Sequence, residues 1–150
     1  VVSQRVIDDW SASAVEGARF KKIQILSRLP KRLQASAMPN YYWLDGHQMQ
    51  GAKLDFEASG FVEAKICPDC LELKYNIQKT YQNQKRKIWP MALIENTWNG
   101  SDIFTTNLSP YIFFCTEKVL ACAKVKRHTN FSFVPLECAA SVLRGIKYIE

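Results

Sequence analysis

Two cysteines three positions apart, Cys67-Pro68-Asp69-Cys70, are the residues of this 150-residue chain best spaced for chemistry. Thiolates at that spacing can hold one metal ion from a tight turn, as each half of a zinc ribbon does. A closed tetrahedral site needs two further ligands, and no second CxxC is present. Cys115, Cys122, Cys138, His47 and His128 could serve, but none has a paired spacing. The other chemistry open to CxxC is disulfide exchange, which wants the first thiol at a helix N-terminus to lower its pKa. Here Leu71 to Ile77 alternates as a strand does, so that helix is not expected. Three readings stay open: a hairpin turn with inert thiols, which is preferred, then zinc held in part by Cys67 and Cys70, and redox work last.

Nucleophilic catalysis finds no supporting set. Cys115 with His128 is the one Cys/His pair to consider, and their separation in sequence says nothing about distance in the fold. Cys115 lies in an aromatic run and Cys122 in a helical stretch, so both read as small core residues. No dinucleotide or phosphate-binding glycine pattern occurs, nor an HExxH or GxSxG motif. The chain is not expected to be an enzyme.

Between Lys79 and Trp89, basic and aromatic residues interleave (Lys79, Tyr81, Lys85, Arg86, Lys87), a pattern found in single-strand nucleic-acid loops. The plain reading is a polar hairpin loop with its cations in solvent. An acidic protein partner steered to Lys79, Tyr81, Lys85, Arg86 and Lys87 ranks second. Nucleic acid ranks last.

Several elements would position these residues. Ile7, Trp10 and Ala14 fall at helical spacing and predict a short N-terminal helix. Phe20 to Leu26 and Tyr41 to Leu44 read as strands, the second ending at the turn dipeptide Asp45-Gly46. Phe61–Ile66, Leu71–Ile77, Ile88–Ile94, Ile103–Thr106, Phe131–Leu136 and Ile146–Ile149 read as further strands. Thr116 reads as an N-cap and Glu117 as an acid suited to the positive helix end. The helix that follows runs to about Arg127 and ends in cations, which also accounts for His128. The expected class is α+β, with a mostly antiparallel sheet, a C-terminal helix and a short N-terminal one. Residues 1–37 read as an extension or docking segment, and 38–150 as the main domain.

Composition bounds the rest. A 47% hydrophobic content argues against disorder. Uninterrupted apolar runs, such as Tyr111–Cys115, are far shorter than the roughly 20 residues a membrane helix needs. Of the net charge of +6, most belongs to residues 1–34, where seven basic side chains face three acids. The remainder is nearly neutral, unlike a phosphate-tracking surface. Five cysteines are an odd and sparse set, which suits reduced thiols in a cytoplasm, and no secretory signal is expected.

The C-terminal third has a recognisable cadence: Gly100-Ser101-Asp102-Ile103-Phe104, then Phe113-Phe114-Cys115-Thr116-Glu117-Lys118-Val119, then His128-Thr129-Asn130-Phe131-Ser132-Phe133-Val134-Pro135-Leu136. It resembles bacterial immunity proteins of polymorphic toxin systems, the group holding the types numbered 43 and 11 and the double-CxxCG proteins. The likeness covers roughly residues 98–148, with Tyr41–Leu44 and Cys67–Cys70 as weaker echoes upstream. The second CxxC of the double-CxxCG pattern is absent. The resemblance implies a cytoplasmic protein that binds its cognate C-terminal toxin domain one to one and blocks it. It also implies aromatic anchors, for which Trp10, Trp43, Trp89 and Trp98 are candidates, and an acidic toxin face. The alternative function is a small zinc-binding, nucleic-acid-binding protein built on Cys67 and Cys70.

Overall fold

The computed structural model describes residues 1–24, 40–69, 73–86 and 91–136, with the backbone alone for 83–86. Cys70, Lys87, Trp89, Cys138 and the strand expected at Ile146–Ile149 lie outside these residues. The fold is α+β. Strands β1 (Val2–Ser3), β3 (Tyr41–Leu44) and β2 (Phe20–Lys22) form an antiparallel sheet with β3 in the middle. Three antiparallel pairs follow: β4 (Leu54–Asp55) with β7 (Ala92–Leu93), β5 (Lys65–Ile66) with β6 (Leu73–Lys74), and β8 (Ile103–Thr106) with β9 (Ser109–Cys115). The helices are α1 (Gln4–Ala12), α2 (Ile77–Arg86) and α3 (Glu117–Val125).

Helix α1 forms because Val6 and Trp10, one turn apart, share the face that meets the core. With Val2 they pack against Met49, Ile103, Val119 and Cys122, and Phe20, Tyr42, Leu44, Phe131 and Phe133 close over them. Residues 1–22, part of the segment that the sequence sets apart, thus supply three members of this cluster. A second cluster centres on Leu54, Phe61 and Met91, with Tyr75, Leu93, Leu108 and Phe114 against it. The β8–β9 hairpin serves both: Ile103 enters the first cluster, while Phe104 stacks on Phe114 at 5.8 Å.

All four residues of β8 are buried. Its second edge is covered by residues 49–51, with Thr105 N–H donating to Met49 O (2.8 Å) and Gly51 N–H to Thr105 O (3.0 Å). The 3-10 turn Gly46–Gln48 is pressed against β9. A Cβ at Gly46 would stand 1.7 Å from Pro110 O, so glycine is required by the close approach of two backbones.

Both α1 and α3 end in the same way. After α1, Val15 N–H bonds Trp10 O and Ala14 N–H bonds Ser11 O, with Ala14 at φ 50°. After α3, His128 N–H bonds Ala123 O and Arg127 N–H bonds Lys124 O, with Arg127 at φ 52°. These are Schellman closures in which a non-glycine residue takes the left-handed position. The second closure turns His128 inward.

Four expectations of local structure need correction. Of the segment Phe61–Ile66 only Lys65–Ile66 is strand, with Glu63 at φ 57° before it. The segment from Lys79 to Arg86 is helix, not hairpin loop. Its start is set by Asn76, whose Oδ1 accepts from Lys79 N–H at 3.0 Å, an N-cap bond. The alternation from Leu71 to Ile77 yields strand at Leu73–Lys74, while Ile77 opens α2 and is 66% exposed. Phe131 to Leu136 forms no strand; Phe131 and Phe133 reach the first cluster from irregular chain, stacked on one another at 6.0 Å.

Candidate partner-binding surface

The polar residues of the C-terminal motifs meet inside the fold. Asp102 Oδ2 accepts from Glu16 N–H and Lys118 Nζ, both at 2.9 Å, and Oδ1 accepts from the Thr116 hydroxyl at 2.8 Å. Lys118 Nζ also donates to Ala14 O. One carboxylate therefore fastens the loop after α1, the entry to β8 and the first turn of α3. Burial works to raise the Asp102 carboxyl, but the bonds from Lys118, Glu16 and Thr116 outweigh it and hold the group below its ordinary value. Thr116 stands at the N-cap position as expected, but its hydroxyl bonds Asp102 rather than its own helix.

At the other end of α3, the His128 side chain is fully buried and its Nε2 lies 2.9 Å from Asp9 Oδ2. The hydrogen bond from His128 is the main cause that holds the Asp9 carboxyl low, with Lys126 and Arg5 adding to it. Arg5 Nη2 donates to Lys126 O at 2.6 Å, which satisfies a carbonyl at the helix end. His128 is thus a clasp between α1 and α3, a role beyond that of a cation at a helix terminus. Cys122 is buried, as expected, beside the Ser13 hydroxyl at 3.3 Å. Cys115 is exposed on the outer side of β9, contrary to its reading as a core residue, and partial burial raises its thiol pKa.

Cys67 is buried in the connection between β5 and β6, so the hairpin position is as the sequence reads it. Its Sγ lies 4.0 Å from Asp69 Oδ2. Among the described residues no three of His, Cys, Asp and Glu gather as metal ligands. Of the basic stretch, Lys79 is exposed and bonded to Glu63, Tyr81 is 41% exposed, and Lys85 and Arg86 lie in the last turn of α2.

The three described tryptophans separate sharply. Trp10 is 2% exposed and belongs to the core, whereas Trp43 is 46% exposed and Trp98 51%. Trp98 donates from Nε1 to Ser101 O in its own loop. Trp43 points away from the core because β3 alternates: Tyr42 and Leu44 face the first cluster, which leaves Tyr41 and Trp43 on the opposite face. Lys21 is the cross-strand neighbour of Trp43 and reaches Asp45 Oδ2 at 2.7 Å; Arg19 and Lys22 are exposed nearby on β2 or its approach. Beyond β3, His47 meets Tyr111 edge-on at 5.7 Å, and Tyr111 and Phe113 stand exposed on β9. The outward alternation of Tyr41 and Trp43 could be read in the sequence; that of Tyr111 and Phe113 was hidden in a continuous apolar run. Exposed aromatic side chains with cations beside them can anchor a protein partner.

Among the described residues no helix is long and apolar enough to cross a membrane. Comparisons with protein-family models, with curated proteins and with solved structures yield no match to this chain.

Proposed function

We propose that this chain is an immunity protein that binds a cognate bacterial toxin domain one to one in the cytoplasm and neutralises it without chemistry of its own. The observation that carries the reading is the exposed pair Tyr41 and Trp43 on the sheet face turned away from the core, with Lys21 and Arg19 alongside. Large aromatic side chains exposed on a rigid strand lose little conformational freedom on binding and bury much area. The internal bonding of Asp102, Thr116, Lys118 and His128 adds support. Motif residues that hold a scaffold together suit a family whose binding surface varies with its target.

Co-expression in bacteria tests this. Cells that carry the toxin domain encoded immediately upstream should grow when the wild-type chain is present. They should lose that protection with the Tyr41→Ala, Trp43→Ala double variant, provided the variant accumulates and folds. Absence of protection by the wild-type chain would overturn the reading.

A further inference from the structure

Lys65 and Lys74 stand directly opposite one another across the β5–β6 pair, and both are exposed. Like charges at opposed positions destabilise a strand pair. Among the described residues no carboxylate makes an ion pair with either. Both line an open groove of about 480 Å³ together with Glu63, Ala64, Tyr75 and Asn76.

The carboxylate in that groove is already committed. Glu63 Oε1 is bonded by Lys79, and Oε2 accepts from Asn76 Nδ2 at 3.1 Å. Its backbone sits at φ 57°, a left-handed conformation that this tethering accompanies. Two lysines are thus held close with neither drawing on the acid beside them. At the groove end Asn76 leads directly into Ile77, an apolar side chain 66% exposed.

The groove walls select among anions. Ala64, Tyr75 and Asn76 are half-buried and the other three lining residues exposed, so a small free anion would meet no desolvated donor. An acidic polypeptide brings contact area of its own to add to two ion pairs. We propose that the groove between the β5–β6 hairpin and the start of α2 docks an acidic segment of a protein partner. Lys65 and Lys74 receive its carboxylates and Ile77 an apolar side chain beside them. This docking site stands independently of toxin neutralisation, because any acidic segment of suitable length tests it.

The probe is a fluorescein-labelled peptide of about eight Glu and Leu residues, followed by fluorescence anisotropy with the full chain at low salt. The Lys65→Ser, Lys74→Ser double variant should bind it about tenfold more weakly or worse. A charge-matched control, Lys53→Ser with Lys124→Ser at exposed positions elsewhere, should stay within about twofold of wild type. The thermal midpoint of the first variant should equal or exceed that of the wild type, since a repulsion has been removed. No binding by wild type, equal losses in the two double variants, or a lowered midpoint for Lys65→Ser, Lys74→Ser would each overturn the proposal. So would displacement of the peptide by inorganic phosphate as readily as by unlabelled peptide at matched ionic strength, which would assign the groove to a free anion.

Discussion

Asp102 takes three donors, from the first turn of α3, from its N-cap Thr116 and from the loop after α1, and its neutralisation should be felt in all of them. Asp102→Asn keeps the size but loses the charge that strengthens the bond from Lys118. With the side chain 13% exposed, the expected loss is about 1–2 kcal/mol after solvent screening, read from urea unfolding near neutral pH. The pH dependence follows from the carboxyls of Asp9, Glu63 and Asp102, all held below their ordinary values in the fold. A depressed folded pKa gives stability that is fully present above the unfolded value, about 4, and is lost as pH falls through the folded one. Unfolding midpoints measured between about pH 2 and pH 6 should therefore fall on acidification below about pH 4. The fall should be shallower in Asp102→Asn, which has one fewer such group; an unchanged slope would remove Asp102 from the account. Arg127 carries the opposite expectation. Its left-handed backbone is one that glycine adopts without steric cost, so Arg127→Gly should raise stability by about 1 kcal/mol.

Elements were legible in the sequence where periodicity coincided with burial. The helical spacing of Ile7 and Trp10 reports α1, although Ala14 lies beyond its end and Val6 is the partner of Trp10 in the core; Tyr41–Leu44 reads as a strand and is one, with Tyr42 and Leu44 inward. Helix α2 was hidden for the converse reason. Between Ile77 and Arg86 only Ile77 and Tyr81 are large and apolar, and both are exposed, so no apolar stripe reports the helix. The usable signals were local: Asn76 as a cap, and the straight-chain Gln and Lys residues that follow. The Phe131–Leu136 segment fails differently. Its aromatic alternation is real and both rings are placed against the first cluster, yet packing is achieved without strand pairing. The role of His128 was illegible because it depends on Asp9, 119 positions away in sequence. Gly46 shows the same dependence on distant chain. Gly46→Ala would drive a methyl into the Pro110 carbonyl, so β9 or the 46–48 turn must move. A loss of about 3 kcal/mol or more is expected in thermal or urea unfolding.

At the scale of the molecule, two clusters of buried residues share one hairpin, and the chain ends up with aromatic side chains on the outside as well as in the core. The sequence marks Trp10 and Trp43 alike as anchors; the alternation of β3 and the face of α1 separate them, one outward and one inward. Most of the net charge of +6 lies in residues 1–34, and β2 with its approach carries Arg19 and Lys21 beside the exposed pair on β3. Such an arrangement suits a partner with an acidic face, whose association would slow as salt rises. Truncation of Trp43 should leave the fold intact, because the side chain stands outside both clusters, and should remove binding energy of about 2 kcal/mol or more.

Isothermal titration of the toxin domain encoded immediately upstream into the wild-type chain and into Trp43→Ala measures the neutralising association directly. A one-to-one complex with a dissociation constant of nanomolar order is expected for the wild type, weakened about thirtyfold or more in Trp43→Ala at unchanged thermal stability. No heat of binding from a folded wild-type chain would contradict the neutralisation reading, and equal affinity of the two chains would remove the β3 face from it.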